Sequence, residues 1–384
     1  MITNSKEDSS DKFIEINILI HAITSKEGGG KYIIINFVNN LRLIRKLKYF
    51  LILPASIKNY ISNSSVELLS INHLLENWWL AIIYYRYYIF RLIRREKINV
   101  TWNFGDVIIP GIKNQIYYFD WAYLVYNESY LWSSLSKKMY FKRKLKIAQI
   151  EKDIKKVDWI FVQTENMKVR LKDKYGLKNI SILETPVSFP KLLERQVVKE
   201  MNTSAIKYLY VSSYSSHKNH KILLEVGREI KKRELDYKIY ITIDKNETYF
   251  LSMILKDKLN DIIINLGNIN HDFLSNIYLN TNFVLIPTLL ESYGIPYFEA
   301  MYFKKQIITS DLDFAHEACH DIALYFNPFS VESILSVMKE AQELSFEQIH
   351  NNINKGRKII EQLPSWEEFI DEFNKKTKSI YGKR

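Results

Sequence analysis

Glu291 and Glu299 lie in the segment Thr281–Met301, TNFVLIPTLLESYGIPYFEAM. The apolar run Phe283–Ile286 reads as a strand, and Pro287 ends it. Gly294 permits a tight turn or a close backbone approach, and Pro296 sits where a first-turn helix proline belongs. The spacing predicts a helix from about Ile295 to Met301. Free N–H groups at such a helix start form an anion site suited to a diphosphate. Glu299, about one turn inside, can accept two hydroxyls of a ribose, each charge-assisted bond being worth about 1.5–3 kcal/mol. Glu291, outside the helix, can point at a sugar. Two glutamates at this spacing would ordinarily be surface charges; the strand–proline–loop–Gly–Ile–Pro–helix context favours a site.

Such a site needs elements to hold it, and the chain supplies two series of them. Short apolar runs alternate with helical stretches, which is an α/β signature. The first series has a strand at Ile14–Ile20, a loop with Gly28, Gly29 and Gly30, and a helix over Tyr32–Leu47. Strands follow near Tyr49–Leu53, Ile98–Trp102, Gln115–Phe119 and Trp159–Gln163, with basic helices around Leu74–Glu96 and Ser136–Lys156. The second series has strands at Lys207–Ser212, Lys238–Thr242, Ile262–Leu266, Phe283–Pro287 and Gln306–Thr309, with a helix near Lys221–Arg233. Glu184–Asn202, with Pro186 and Pro190, reads as the linker. A last helix, Trp366–Tyr381, follows Ser365, which reads as its N-cap. Two such units suggest a ligand in a cleft, bound at the carboxyl ends of parallel strands.

Composition narrows the class. The chain has 384 residues with 47% hydrophobic and 25% charged, a globular balance with room for two domains. One cysteine, Cys319, allows no internal disulfide, which fits a reducing, cytoplasmic setting. The first dozen residues are polar, with no apolar core of a signal peptide. Trp78–Ile93 is interrupted by Arg86 and Arg91 and falls short of a membrane span. Residues 1–190 carry 29 Lys and Arg against 17 Asp and Glu, and residues 191–384 carry 25 against 26, so the whole excess of +11 lies in the first half. That asymmetry calls for an anionic partner. Trp78–Arg95 and Lys137–Lys146 (KKMYFKRKLK) are basic and aromatic. They read as peripheral contact with an anionic membrane, each basic residue being worth about 1 kcal/mol there, and not as a nucleic-acid interface.

The segment Glu291–Glu299 resembles the E-x7-E signature of the retaining GT-B nucleotide-sugar glycosyltransferases of family 4. Tyr210–Asn219 (YVSSYSSHKN) resembles that family's strand and loop ending in Lys-Asn. Asp261–Asn270, Ala318–Pro328 and Ser365-Trp366-Glu367 resemble its later stretches. In the first half, Gly28–Gly30 matches its glycine-rich loop, and Val157–Thr164 with Pro186-Val187 its last strand and exit. The resemblance implies two facing Rossmann-like domains: an acceptor domain over 1–186 with the crossing helix 366–384, and a donor domain over 187–365. It implies Glu299 on the ribose, Glu291 on the donor sugar and Lys218 on the diphosphate. A cation there stabilises charge that builds on the leaving group. Backbone N–H groups at Ser292, Tyr293, Gly294 and Ile295 would bind phosphate or sugar oxygens, with Gly29 and Gly30 also on the donor side.

By the same resemblance, the reaction moves a hexose-type sugar from a UDP- or GDP-sugar to a saccharide, lipid-linked in surface-polysaccharide assembly. Configuration is retained through front-face attack, with no protein nucleophile, no metal and no cofactor. The chain departs from the family at two places. Ser213 stands where an arginine is usual, and Phe119-Asp120 where many members have a histidine. Asp120 and His21 are the weak acceptor-side candidates. His217 either adds a donor beside Lys218 or is an exposed loop histidine. Asp311-Leu-Asp313 spells D-x-D, a three-residue pattern that arises by chance. Two other readings remain: a GT-B-like protein that binds a polyanion without catalysis, and a hydrolysing or epimerising relative.

Overall fold

The computed structural model describes residues 15–26, 28–44, 46–69, 78–105, 108–191, 198–270 and 273–382. The polar opening dozen, the first residues of the helix expected from Leu74, and positions 192–197 of the expected linker lie outside the described residues. The first series of elements is β1 (Ile16–His21), α1 (Gly28–Asn40), β2 (Leu47–Ile52), β3 (Val66–Leu68), α2 (Trp78–Arg95), β4 (Val100–Asn103), β5 (Gln115–Phe119), α3 (Ser129–Ser133), α4 (Lys137–Asp153), β6 (Trp159–Val162), α5 (Glu165–Tyr175) and β7 (Ile180–Ile182). The second is β8 (Ile206–Tyr210), α6 (His220–Lys232), β9 (Tyr237–Ile241), α7 (Thr248–Lys256), β10 (Ile263–Asn265), α8 (Leu274–Leu279), β11 (Phe283–Ile286), α9 (Ile295–Tyr302), β12 (Gln306–Ser310), α10 (Asp313–Cys319), β13 (Ala323–Phe326), α11 (Val331–Glu343) and α12 (Phe346–Glu361). It closes with α13 (Trp366–Tyr381).

Among the described residues the strands form two sheets, ordered β3-β2-β1-β4-β5-β6-β7 and β10-β9-β8-β11-β12-β13. The registered pairs are parallel, as in β1 with β2 and β11 with β12. In each sheet the strand order reverses beside the first strand, next to β1 and next to β8. These reversals are the topological switch points of a doubly wound sheet, where ligands bind. The strands read as continuous apolar runs because both faces are covered; β11 (Phe283–Ile286) is buried at all four positions.

By packing, the chain divides into two compact units. One comprises Met1–Phe119, Gln149–Phe161 and Trp366–Arg384, and the other Asp120–Ala148 and Val162–Ser365. In the first, α13 returns to the sheet that begins the chain. Phe373 is fully buried and packs on Phe37, Trp102, Phe104, Phe161 and Phe369 at centroid distances of 5.0–5.6 Å. Trp102 Nε1 donates to Thr377 Oγ1 at 2.7 Å, which satisfies the indole inside this aromatic core. In the second unit one continuous apolar cluster joins β8, β9, β11, β12 and the helices on both faces. Among the described residues no helix is long and apolar enough to cross a membrane.

Several elements differ from expectation. The three glycines were expected in a loop before a helix over Tyr32–Leu47. They instead form the first turn of α1, which ends at Asn40, while Leu47 pairs with Ile16 in the sheet. Gly28 adopts φ +60, a conformation glycine reaches without strain, and so starts the helix early. β3, α5, β7 and the helices α7, α8, α10, α11 and α12 were not foreseen. The caps of three of these helices were readable. Thr164 accepts from the Met167 N–H, Ser330 from the Ser333 N–H, and Ser345 with Gln348 forms a capping box. β3 and β7 are three residues long and lack a fully buried run.

The aromatic core makes α13 structural. Phe373→Ala should destabilise the unit by about 3–5 kcal/mol, because the cavity cannot collapse among rigid rings. Urea denaturation followed by tryptophan fluorescence would show it. An unchanged midpoint would mean that α13 contributes little.

Candidate functional site

The site forms where β8 and β11, neighbours at the second switch point, release their loops. After β8 the chain makes a 3-10 turn over Ser216–Lys218, and Asn219 takes a left-handed conformation, φ +55, to start α6. After β11 it runs through Pro287–Gly294 into α9. One carbonyl ties the two loops together. His217 O accepts the Leu289 N–H at 2.7 Å and the Thr288 hydroxyl at 3.2 Å. Tyr210 Oη donates to Lys218 O at 2.9 Å, and Asn219 Nδ2 to Pro328 O at 3.0 Å. The backbone around Lys218 is therefore fixed from several sides.

This clamp brings Lys218 and Glu291 together, with Nζ 2.5 Å from Oε1. Their side chains are only 15% and 12% exposed, so the pair is largely dry and its attraction is weakly screened. Breaking it by removing one partner would leave an uncompensated charge. The pair thus keeps an ammonium and a carboxylate poised until a charged ligand competes for them.

Glu299 lies in α9 and is 7% exposed. Tyr278 Oη, from α8, donates to Glu299 Oε2 at 2.9 Å. Burial pushes the Glu299 carboxyl up to about 7, and the Tyr278 hydrogen bond offsets only part of that. Tyr278 itself is raised well above the usual phenol value by burial and by Glu299, so it stays a donor. Tyr278 is a site residue that the sequence reading missed. It sits in a short helix with no cap signal.

Gly294 caps α9 at φ +83. A β-carbon there would lie 2.5 Å from the Tyr297 ring, which is held by its hydroxyl on Thr309 at 2.9 Å. The turn therefore admits only glycine, and α9 begins where the segment predicted it. The helix ends at Tyr302.

The sequence left His217 between two readings, and its burial decides one of them. His217 is partly buried, its ring edge-on to Tyr123 at 5.7 Å and its Nδ1 3.0 Å from Ser215 Oγ. It is no exposed loop histidine. Burial first, then the charges of Lys218 and Arg143, hold it well below the usual imidazole value, and burial with Lys218 brings His220 down to about 3. Both rings are neutral at physiological pH. Ser292 and Tyr293 line a cavity of about 310 Å³ together with Gln163, Glu184, Glu317 and His320.

The remaining candidates sit elsewhere. His21 ends β1 at the first switch point, fully buried, with Nδ1 3.3 Å from Asn103 Oδ1. Asn103 continues through Nδ2 to Gln115 Oε1 at 3.1 Å. Burial brings His21 down to about 4, so it too is neutral. Asp120 follows the last residue of β5. Gly29 and Gly30 are in the first turn of α1, with open space beside Gly28 and Gly29. Asp311 pairs with His316, and Asp313 accepts from Tyr126 and Arg170, so the two aspartates of D-x-D serve separate contacts.

Comparison with known proteins follows the same lines. Residues 194–359 match the family model described as Glycosyl transferases group 1, a span that holds Lys218, Glu291 and Glu299. Solved structures match in shape as well: sucrose-phosphate synthase from Thermosynechococcus elongatus superposes with a TM-score of 0.75 at 11% identity, over 96% of this chain and 100% of that one. The fold is GT-B. Anabaena Alr3699/HepE, solved in complex with UDP and glucose, superposes with a TM-score of 0.66 at 11% identity over 95% of this chain and 100% of that one. The O-antigen chain mannosyltransferase RfbU of Salmonella typhimurium is 24% identical over 245 residues, which are 62% of this chain. The match spans 63% of that relative's length. Together the findings show a GT-B fold and, over residues 194–359, similarity to Glycosyl transferases group 1.

The buried Glu299 makes a testable demand. Its folded value, about 7, stands above the ordinary 4.5, so the native state holds the proton longer than the unfolded chain. Its contribution to stability is therefore lost as pH rises from about 4.5 to about 7. Glu299→Gln should flatten that slope and raise the melting temperature at pH 8; an unchanged pH profile would contradict the burial argument. Gly294→Ala should lower the melting temperature and weaken nucleotide binding at least about tenfold, by clash with Tyr297. Wild-type binding by calorimetry would refute the requirement.

Proposed function

We propose that the protein transfers a hexose-type sugar from a UDP- or GDP-sugar to a saccharide acceptor, with retention of configuration. The observation that carries this reading is the Lys218–Glu291 pair beside the glycine-capped start of α9, with Glu299 buried one turn farther on. Glu299 accepts the ribose hydroxyls, and the N–H groups of Ser292 to Ile295 meet phosphate and sugar oxygens. Lys218 exchanges Glu291 for the diphosphate, where its charge stabilises the leaving group as the glycosidic bond breaks. Glu291, released, contacts the donor sugar. No side chain is assigned as nucleophile. The acceptor hydroxyl attacks from the face that the diphosphate leaves, and a diphosphate oxygen takes its proton. Lys218 and the helix start supply the positive charge, so the reaction is metal-independent. Gly29 and Gly30 are assigned to donor binding, and His21 and Asp120 to the acceptor side.

The relatives give the reading its direction. One is named for mannosyl transfer in O-antigen chains and another was solved with UDP and glucose. A lipid-linked acceptor in surface-polysaccharide assembly, at the cytoplasmic face of a membrane, follows as the proposed setting. The surface of α4 supports it. Phe141 is 64% exposed and Leu145 45%, among the exposed lysines Lys137, Lys138 and Lys142. Such a basic, apolar face suits an anionic bilayer.

Turnover of a donor panel, read as nucleotide release with and without acceptor and with a chelator arm, tests the assignment. Glu299→Ala and Lys218→Ala should each lower turnover at least about tenfold, equivalent to about 1.4 kcal/mol of barrier. Full activity in both variants would overturn the site. Release without acceptor at the full rate would favour a hydrolase. Raised salt should weaken association with anionic liposomes, and unchanged association would remove the membrane contact.

A further inference from the structure

Arg143, on α4, is a partly buried cation with no anion. Its guanidinium carbon lies 3.7 Å from the centroid of the Tyr123 ring, and its Nη1 is buried with no hydrogen-bond partner. Among the described residues no carboxylate pairs with it. The arginines at 170, 228 and 233, by contrast, each hold an aspartate or glutamate. Tyr123 connects Arg143 to the site: the same ring meets His217 edge-on, and His217 precedes Lys218. Arg143 acts on His217 through its charge, which places the guanidinium within electrostatic reach of that loop.

A guanidinium taken partly out of water and left unpaired is costly, and removing the charge is often neutral or stabilising. Its planar fork of N–H donors matches the oxygens of a phosphoryl group. The nearest cation along the loop, Lys218, is already engaged by Glu291 at 2.5 Å. Neither His217 nor His220 can share the load, since both are held neutral. Ser213, in the same loop, is exposed and uncharged.

We propose that Arg143 is a second phosphoryl-binding cation of this site, with Nη1 donating to a phosphoryl oxygen that Lys218 does not serve. Stacking on Tyr123 fixes the plane of the fork in advance, so little is lost in ordering it on binding. This rests on the proposed transfer reaction. The phosphoryl group belongs either to the donor diphosphate or to a phosphate that links the acceptor to its lipid.

The experiment uses the full-length protein, its Arg143→Gln and Arg143→Met variants, and titration calorimetry. The probes are UDP, GDP, uridine, guanosine, inorganic diphosphate and a short-chain polyprenyl-diphosphate saccharide. Both variants should melt at or above the wild-type temperature, because they discard an unpaired charge. A purely structural stack would instead lower it. Loss of at least about tenfold in UDP or GDP affinity, with unchanged nucleoside binding, assigns Arg143 to the donor diphosphate. Unchanged nucleotide affinity with the same loss for the polyprenyl-diphosphate saccharide assigns it to the acceptor. A folded variant of either kind that binds every probe as the wild type does overturns the proposal. If the wild type binds inorganic diphosphate through Arg143 but no nucleoside diphosphate, the anion site stands and the transferase reading falls. If it binds a nucleoside diphosphate, and neither that nor the polyprenyl-diphosphate saccharide depends on Arg143, the reverse holds.

Discussion

The carbonyl of His217 accepts two bonds from the loop that follows β11, and the position of Lys218 depends on that clamp. Without it, the two loops would leave neighbouring strands with no common register, and a lysine on one would have no fixed distance to a glutamate on the other. With it, the ammonium and carboxylate meet in a nearly dry setting. Low local dielectric strengthens the pair and makes either charge alone expensive. A ligand that brings its own negative charge can replace Glu291 on Lys218 without leaving the ammonium bare. The exchange frees Glu291 for hydroxyl groups. One interaction thus fixes both side chains relative to each other.

Glu299 shows the opposite economy. It is buried beside Tyr278 and its carboxyl is raised to about 7, because burial disfavours the ionised form. The shift has the sign expected of a group meant to receive hydrogen-bond donors from outside. A ribose diol would supply what the single Tyr278 hydroxyl does not. Arg143 fits the same logic with reversed charge. Stability is given up at points where a ligand restores it, a common pattern at functional sites.

Around these groups the neutral side chains matter as much as the charged ones. His217 and His220 are kept uncharged by burial and by nearby cations. A charged imidazole beside Lys218 would compete for the same anion and repel the lysine. The loop contributes backbone and shape, and leaves the charge to the few residues placed for it. At the first switch point, His21 is neutral by the same cause, burial, and is bound into the Asn103–Gln115 network.

How much of this was legible without coordinates follows from the range of the interactions. The strand, the proline, Gly294 and the start of α9 are local features: dihedral limits and helix geometry act over a few residues, so Thr281–Met301 announced its own conformation. The alternation of apolar runs announced two doubly wound units, because strands covered on both faces must be apolar throughout. The glycines at 28–30 misled, since glycine permits a loop and a helix start equally, and only the packing of α1 chose. The Lys218–Glu291 contact joins residues on different loops, and Tyr278 reaches Glu299 from another helix. Arg143 meets Tyr123 from within a basic stretch that the sequence offered only as a membrane contact. Burial, and with it the neutrality of the histidines and the raised carboxyl of Glu299, is a property of what packs around a residue. Local chemistry was written in the chain, while the pairing of its charges and their exposure to water were decided only when distant segments came together.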